Sequence, residues 1–274
     1  MKIAIVTDME GVAGVVNFED WTFGQSRYYE RGKEYLTHEV NAAIDGFFAA
    51  GATEIVVLDA HGSGAIDTML LDERVFLSRG WYIPHHHFGL DEGYDALAFV
   101  GQHAKSGSLY AHLCHTGDTI VLEYEMNGIS VGEFGELAAI AGFFGTPTIF
   151  GSGDQAFTEE AKALMPHVHT VSVKVGVNKE SGDELDKDSY ERHATGAKHI
   201  HPKRSRALIR EASEKALRDF IANRDKYPPF KLEPPFVLEQ WLRPHGDQKA
   251  YKTTRRHDTD IVAMYKMPME IEYM

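Results

Sequence analysis

Short β-branched apolar runs in this chain break off, one after another, into loops that carry carboxylates or imidazoles, and this punctuation is what most constrains the fold. The first run, Lys2-Ile3-Ala4-Ile5-Val6-Thr7, is too short for a helix and apolar through its middle, which predicts a strand buried on both faces. It ends in Asp8-Met9-Glu10-Gly11. From about Arg27 to Ala50 the apolar residues Tyr28, Tyr35, Val40, Ala43, Ile44, Phe47 and Phe48 recur at helical spacing, and Gly51 supplies a stop. Glu54-Ile55-Val56-Val57-Leu58 then predicts a second buried strand that empties into Asp59-Ala60-His61-Gly62. Strand, helix, strand is a βαβ unit, and it commits the chain to a parallel sheet with covering helices.

The same alternation continues. Tyr94 to Val100 predicts a third core strand ending in Gly101-Gln102-His103. Thr119 to Met126 meets Ile129-Ser130-Val131 across Asn127-Gly128, a strong hairpin signal. Gly132-Glu133 opens a helix over Phe134 to Phe144, Pro147 to Phe150 returns as a strand, Gln155 to Met165 reads as a helix and His169 to Val175 as a strand. Asn178 to His201 turns polar with no clear period and is expected to be an excursion or lid-like loop. Pro202 starts a helix to about Asn223, with Leu208, Ile209, Ala212, Ala216, Leu217 and Phe220 on one face. After two Pro-Pro pairs, Phe236-Val237-Leu238 and Ile261 to Tyr265 are candidate strands. The expected fold is α/β: a doubly wound, mostly parallel sheet with helices on both faces, plus a smaller C-terminal α+β part. The expected division is a metal-binding catalytic core, 1–177, and an insertion, long helix and α+β extension, 178–274, contributing to oligomer contacts.

Composition narrows the function. With 43% hydrophobic residues in 274, the chain can bury a full core. A formal net charge of −13 with dispersed Lys and Arg argues against a nucleic-acid partner and against an anionic membrane surface. One cysteine, Cys114, excludes an intramolecular disulfide framework and suits a reducing compartment. No apolar run approaches the ~20 residues of a membrane span, and Met1-Lys2 leads into a strand without a signal-peptide pattern, so a cytoplasmic protein is expected.

Chemistry gathers at the strand ends. Asp8 and Glu10 follow the first strand, His61 the second, His103 the third, and Glu133 the hairpin. Singly, each is more often a solvated loop residue or a helix cap; their convergence on one sheet edge carries the reading. Two imidazoles with three carboxylates make a donor set suited to Zn²⁺, with Mn²⁺ or Co²⁺ chemically compatible. Five donors exceed what one catalytic zinc usually takes from protein, which points to two ions sharing a carboxylate and to metal-assisted hydrolysis. Asp59 either orients His61 or caps the next turn. Splitting an amide also requires a proton for the leaving amine, and His112 or His115 is available for it. Cys114 is read as a small buried residue, because adjacent side chains in an extended segment point apart and leave it badly paired with His115. His85-His86-His87 cannot all converge on one ion and reads as a polar loop, while Gly151-Ser152-Gly153-Asp154 completes no dinucleotide fingerprint.

Taken in order, Asp8-Met9-Glu10-Gly11, Asp59-Ala60-His61-Gly62, Gly101-Gln102-His103-Ala104, His115-Thr116 and Val131-Gly132-Glu133 resemble the motifs of the M55 peptidases, the D-aminopeptidase family of bacterial dipeptide-transport operons. Similarity extends through Glu39-Val40-Asn41-Ala42-Ala43-Ile44 and through Gly151 to Val175. The resemblance implies an aminopeptidase with two zinc ions per subunit that releases N-terminal D-amino acids from short peptides. Asp8, Glu10, His61, His103 and Glu133 then match the metal ligands and His115 the catalytic histidine. It also implies a ring-shaped homo-oligomer, a decamer in the prototype. The segment from Ala104 to Tyr110 is more compact than the family pattern and is followed by His112, which stands as the alternative catalytic histidine. An amidase or an L-aminopeptidase would use the same metal core, and a metal- and peptide-binding oligomer without catalysis is the alternative outside enzymes.

Overall fold

Strand β1 (Lys2–Thr7) is buried at every position but Lys2, as its apolar run requires, and the larger sheet is built outward from it. Helices α1 (Phe18–Trp21) and α2 (Tyr29–Ala49) follow, then β2 (Glu54–Asp59), β3 (Phe76–Ser78) and β4 (Ala96–Gln102). The structure, a computed structural model, describes residues 1–62, 64–80 and 89–274; the His85-His86-His87 run lies outside them. The hairpin forms from β5 (Val121–Met126) and β6 (Ile129–Ser130), with Asn127 and Gly128 both at positive φ, 51° and 74°. Next come α3 (Glu133–Phe143), β7 (Thr148–Asp154), α4 (Gln155–Leu164) and β8 (His169–Gly176). The chain ends with α5 (Lys187–His193), β9 (Ala197–His199), α6 (Pro202–Ala222), β10 (Phe236–Leu242), β11 (Tyr251–His257), α7 (Ile261–Met264) and β12 (Glu270–Tyr273).

Seven strands make the larger sheet in the order β3-β2-β1-β4-β7-β8-β9, parallel throughout except for β9. The order reverses at β1: the chain steps outward to β3 and then returns to β4 on the other side of β1. Loops leaving β1 and β4 at their carboxyl ends therefore part and open a crevice. Helices cover both faces, as neighbouring residues of β7 show. Phe150 meets Phe47 of α2 edge-on at 6.0 Å, while Phe157 of α4 packs over the adjacent Gly151. On the α3 side Phe99 of β4 meets Phe134 at 4.7 Å. Such aromatic pairs add about 0.5–1.5 kcal/mol each beyond the area they bury. Helix α6 lies against α2, where Ser213 Oγ donates to the Ala43 carbonyl at 3.3 Å. Its buried face holds Ile209, Ala216, Leu217 and Phe220, whereas Leu208, expected on that face, is exposed.

A second, antiparallel sheet has the order β12-β11-β10-β5-β6, so the hairpin is the platform on which the last strands assemble. Two sequence expectations are corrected in these regions. Ile261 to Tyr265 is not a strand, because the Asp260 carboxylate accepts from the Val262 and Ala263 N–H groups and starts a helical turn. The segment 178–201 is not only loop: it contributes α5, capped by Asp186, and β9 on the edge of the larger sheet. A single aromatic anchors it. Tyr190 is fully buried, donates to the Cys114 carbonyl at 3.0 Å and carries the Arg243 guanidinium over its ring at 3.8 Å.

Where the loops after β1 and β4 meet, main chain touches main chain. Gly11 N–H donates to the Gly101 carbonyl at 2.7 Å and Asp8 N–H to the Val100 carbonyl at 3.0 Å. A Cβ on Gly11 would lie 2.1 Å from the Gln102 carbonyl oxygen, and one on Gly101, at φ 81°, would lie 2.0 Å from that of Asp8. Only glycine fits at either place, and this approach brings residues 8 and 10 next to residue 103. Gly11→Ala is expected to lower stability by about 1–3 kcal/mol through overpacking against backbone that has no room to yield, read as a lower urea midpoint with unchanged slope.

Candidate active site

The crevice collects the strand-end residues. Asp8, Glu10 and His103 are 5%, 4% and 2% exposed, and His61 and Glu133 border them. His61 Nδ1 lies 3.0 Å from Asp8 Oδ1 and 3.0 Å from Glu10 Oε2. His103 Nε2 lies 3.0 Å from Asp8 Oδ2 and 3.5 Å from Glu133 Oε1. Asp8 thus sends one oxygen to each imidazole, and its own rotation is set by the Met9 N–H on Oδ1 at 2.8 Å and the Gln102 amide on Oδ2 at 3.3 Å. His115 reaches the same place from the loop before β5. Its ring stacks on His103 with centroids 4.0 Å apart, and its Nε2 is 3.7 Å from Glu133 Oε1.

Each imidazole has its other nitrogen committed to the main chain: His61 Nε2 to the Thr22 carbonyl at 2.8 Å, His103 Nδ1 to Ala104 at 2.9 Å, His115 Nδ1 to Leu113 at 3.0 Å. A carbonyl only accepts, so those nitrogens carry the hydrogens. The inward nitrogens are left with lone pairs aimed at carboxylate oxygens, an arrangement that repels unless a cation or a further proton lies between them. Two of the atoms involved, Glu10 Oε2 and His103 Nε2, are buried without a hydrogen bond. Within 4.8 Å of one another lie one donor atom each from Asp8, Glu10 and His103, and likewise from His103, His115 and Glu133. The residues present fit a metal centre.

Electrostatics agree. Burial alone pushes the His61 imidazole down, but facing Glu10 and Asp8 outweigh it and hold its pKa well above the ordinary 6.5. For His103 burial is outweighed by Glu133 and Asp8 in the same direction. Burial pushes the Asp8 and Glu133 carboxyls up, yet the imidazoles, His103 foremost, leave both below their ordinary values.

Other candidates fall elsewhere. Asp59 caps its turn, accepting from the Ala65 and Ile66 N–H groups and from Arg79 at 2.6 Å. His112 is fully buried away from the cluster, with Nε2 bonded to the Val16 carbonyl at 2.9 Å, and burial pushes it down to about 2, which keeps it neutral. Cys114 is buried with its thiol 3.2 Å from the Tyr190 hydroxyl, and burial raises its pKa. Sequence reasoning missed Lys174. Fully buried on β8, it donates to the Glu10 and Val15 carbonyls and so fixes the loop that carries the carboxylates; burial pushes it down to about 8. A lysine inside an apolar strand was the available signal. Also missed was the far wall of the cavity of about 540 Å³ into which the cluster opens, where Tyr124, Glu136, Leu238, Gln240, Arg255 and Tyr265 stand.

A crevice of this kind, at the switch point of an α/β sheet and lined by carboxylates and imidazoles aimed at one another, suits a metal-dependent hydrolase. The chain matches the peptidase M55 family, described as D-aminopeptidase, over residues 1–267, and it belongs to that family. The D-aminopeptidase of Bacillus subtilis (strain 168) is 30% identical to it over 241 residues, 86% of this chain and 78% of that protein. In fold it is similar to the Zn-dependent D-aminopeptidase DppA from Bacillus subtilis, described as a self-compartmentalizing protease, with a TM-score of 0.82 at 24% identity over 97% of this chain and 94% of that one.

In the metal-free protein the raised His61 and His103 values stabilise the fold fully below 6.5, the unfolded value, and that contribution is lost as pH rises through the folded values. The lowered Asp8 and Glu133 values work at the opposite end: their contribution is present above the ordinary carboxylate range and lost as pH falls. The thermal midpoint of metal-free protein should therefore fall as pH rises above 6.5 and through the raised folded values, and the double variant His61→Gln/His103→Gln should lack that part of the slope. Parallel profiles for parent and variant would contradict the assignment.

Proposed function

We propose that this chain is a dinuclear zinc aminopeptidase that releases N-terminal D-amino acids from short peptides, with Asp8, Glu10, His61, His103 and Glu133 holding the ions and His115 moving protons. The observation that carries the reading is the common orientation of the imidazoles, each donating outward to a carbonyl and presenting a lone pair inward to carboxylates. Zinc suits this mixed nitrogen and oxygen set. The Bacillus subtilis relative is called a D-aminopeptidase and the structural neighbour a Zn-dependent one, which supports both substrate and metal. Bound zinc supplies an activated water at neutral pH and a Lewis acid for the scissile carbonyl.

The remaining work falls to the chain. Asp8, with an oxygen toward each imidazole and both oxygens fixed by hydrogen bonds, lies at the middle of the cluster and would be among the residues that hold the ions. His115 lines the cavity with Nε2 free of main-chain bonds, so it would be the group that holds a proton at Nε2 and delivers it to the leaving amine. Glu133, fixed by the Gly117 N–H at 2.7 Å, lies beside it.

The place and the assembly are part of the same reading. Among the described residues no helix is long and apolar enough to cross a membrane, and the lone buried cysteine suits a reducing compartment, which supports the cytoplasm. A ring-shaped homo-oligomer, a decamer by family resemblance, is supported by the neighbour's description as self-compartmentalizing. Segment 178–274 supplies subunit contacts in this reading, through Ile271 and Tyr273, 53% and 70% exposed on the edge strand β12.

Purified protein is expected to carry two zinc ions per chain and to hydrolyse D-Ala-D-Ala faster than L-Ala-L-Ala. His115→Ala should keep both ions by elemental analysis and lose about 100-fold or more in kcat. Two ions with an L preference would retain the centre and discard the substrate. Unchanged turnover after exhaustive chelation would overturn the metal chemistry, and metal without turnover of any peptide would make the chain a binder.

A further inference from the structure

The cavity has a wall that the metal-ligating cluster does not use. It is one face of the second sheet, and strand register says which side chains share it. Tyr124 of β5 stands opposite Gln240 of β10, and in the next row Leu238 of β10 stands opposite Arg255 of β11. All four line the cavity with Asp8, Glu10 and Glu133 on the facing side. Antiparallel pairing holds such residues at fixed spacing, so this wall is a rigid template.

Arg255 is out of keeping with its surroundings. Among the described residues it is the one Lys or Arg side chain that lines the cavity. Its Nε is buried and makes no hydrogen bond. The Glu136 carboxylate on α3, which also lines the cavity, is engaged by the Tyr124 hydroxyl at 2.5 Å instead. A guanidinium that lines a cavity with its Nε–H buried and unused is complementary to a planar anion, which it grips through two parallel N–H groups.

A short peptide without acidic side chains has one anion, its C-terminal carboxylate. We infer that Arg255 binds that carboxylate, so that the enzyme recognises the far end of its substrate and takes very short peptides with a free C-terminus; the inference rests on the peptidase reading above. The cavity, about 540 Å³, is in the range that encloses a small ligand on most sides. A scissile bond fixed at the cluster and a carboxylate fixed at Arg255 set the length of chain between them, because an extended residue spans at most ~3.6 Å. Amidated peptides offer Arg255 no charge. Rejection then comes from leaving the buried Arg255 Nε–H without an acceptor, a stronger discriminator than a missing apolar contact.

The test compares D-Ala-D-Ala with its C-terminal amide on zinc-loaded parent, Arg255→Gln and Arg255→Lys, by steady-state kinetics and by calorimetric binding. The parent should favour the free acid by about 10-fold or more, chiefly in KM. Arg255→Gln should bring acid and amide to within about twofold of each other, and Arg255→Lys should restore part of the preference. Turnover by the parent with no preference for the acid, or equal loss on both peptides in Arg255→Gln, would overturn the inference and leave the peptidase reading standing. Tighter binding of the acid than of the amide, abolished in Arg255→Gln but without turnover by the parent, would keep Arg255 as a carboxylate-binding site and discard the peptidase. Neither turnover nor discrimination in binding would overturn both.

Discussion

Everything at the centre of this structure depends on main-chain carbonyls capturing imidazole hydrogens. Thr22, Ala104 and Leu113 each accept from a histidine, and each acceptance decides which nitrogen faces the crevice as a lone pair. Were a side chain the acceptor, a rotamer change would release the tautomer. A carbonyl is fixed by the fold, and these three belong to loops whose positions follow from sheet order. The switch point between β1 and β4 sets the loops apart, and the contact of Gly11 with the loop after β4 draws them together again. The cluster is thus assembled by backbone, and its side chains need no rearrangement to face one another.

A buried group reinforces this from behind. Lys174 donates to the Glu10 and Val15 carbonyls from inside the core, where its charge costs energy that nearby Asp154 and Glu10 offset. Glu39, pushed up to about 7 by burial, accepts from the Ala13 N–H in the same loop at 3.3 Å. Polar groups on α2 and β8 therefore grip the main chain of residues 10 to 15 without touching the imidazoles. Immobilising carboxylates through their backbone leaves their oxygens available, and the two sheets divide the labour: loops of the larger one bring Asp8, Glu10, His61 and His103 together, and the smaller one shapes the opposite wall.

Legibility followed the range of the interactions. The core strands and the helices α2, α3, α4 and α6 could be read because each announces itself locally, by a β-branched run, a helical period, a glycine stop or a proline start. The strand-end acids and imidazoles could be read because a parallel sheet delivers its loops to one edge. Strand β11 could not: Tyr251-Lys252-Thr253-Thr254-Arg255-Arg256-His257 has no apolar alternation and is a strand because it lies between β10 and β12. Helix α7 was hidden by apolar residues that suit a strand equally well, and only the Asp260 cap decides it. The far wall was invisible for the same reason, since Tyr124, Glu136, Arg255 and Tyr265 come together only through pairing of chain segments far apart in sequence.

His112 and His115 show how little of a residue's role is in its type. Three positions apart in one loop, they are separated by Leu113 at φ 55°, a left-handed residue that turns the chain between them. His112 is driven into the core, where its neighbours are His199 and the positive Lys174, and no carboxylate offsets its burial; a proton on it has nothing to stabilise it, and it serves as a neutral donor to Val16. His115 stays at the cavity edge between Phe18 and the face of His103, with Glu133 at 3.7 Å and open space before its inward nitrogen. Proton transfer needs a group that can hold a proton for part of a cycle and an opening through which the substrate can reach it. Of the two histidines only the second meets such an opening, and it does so because the chain turns at Leu113.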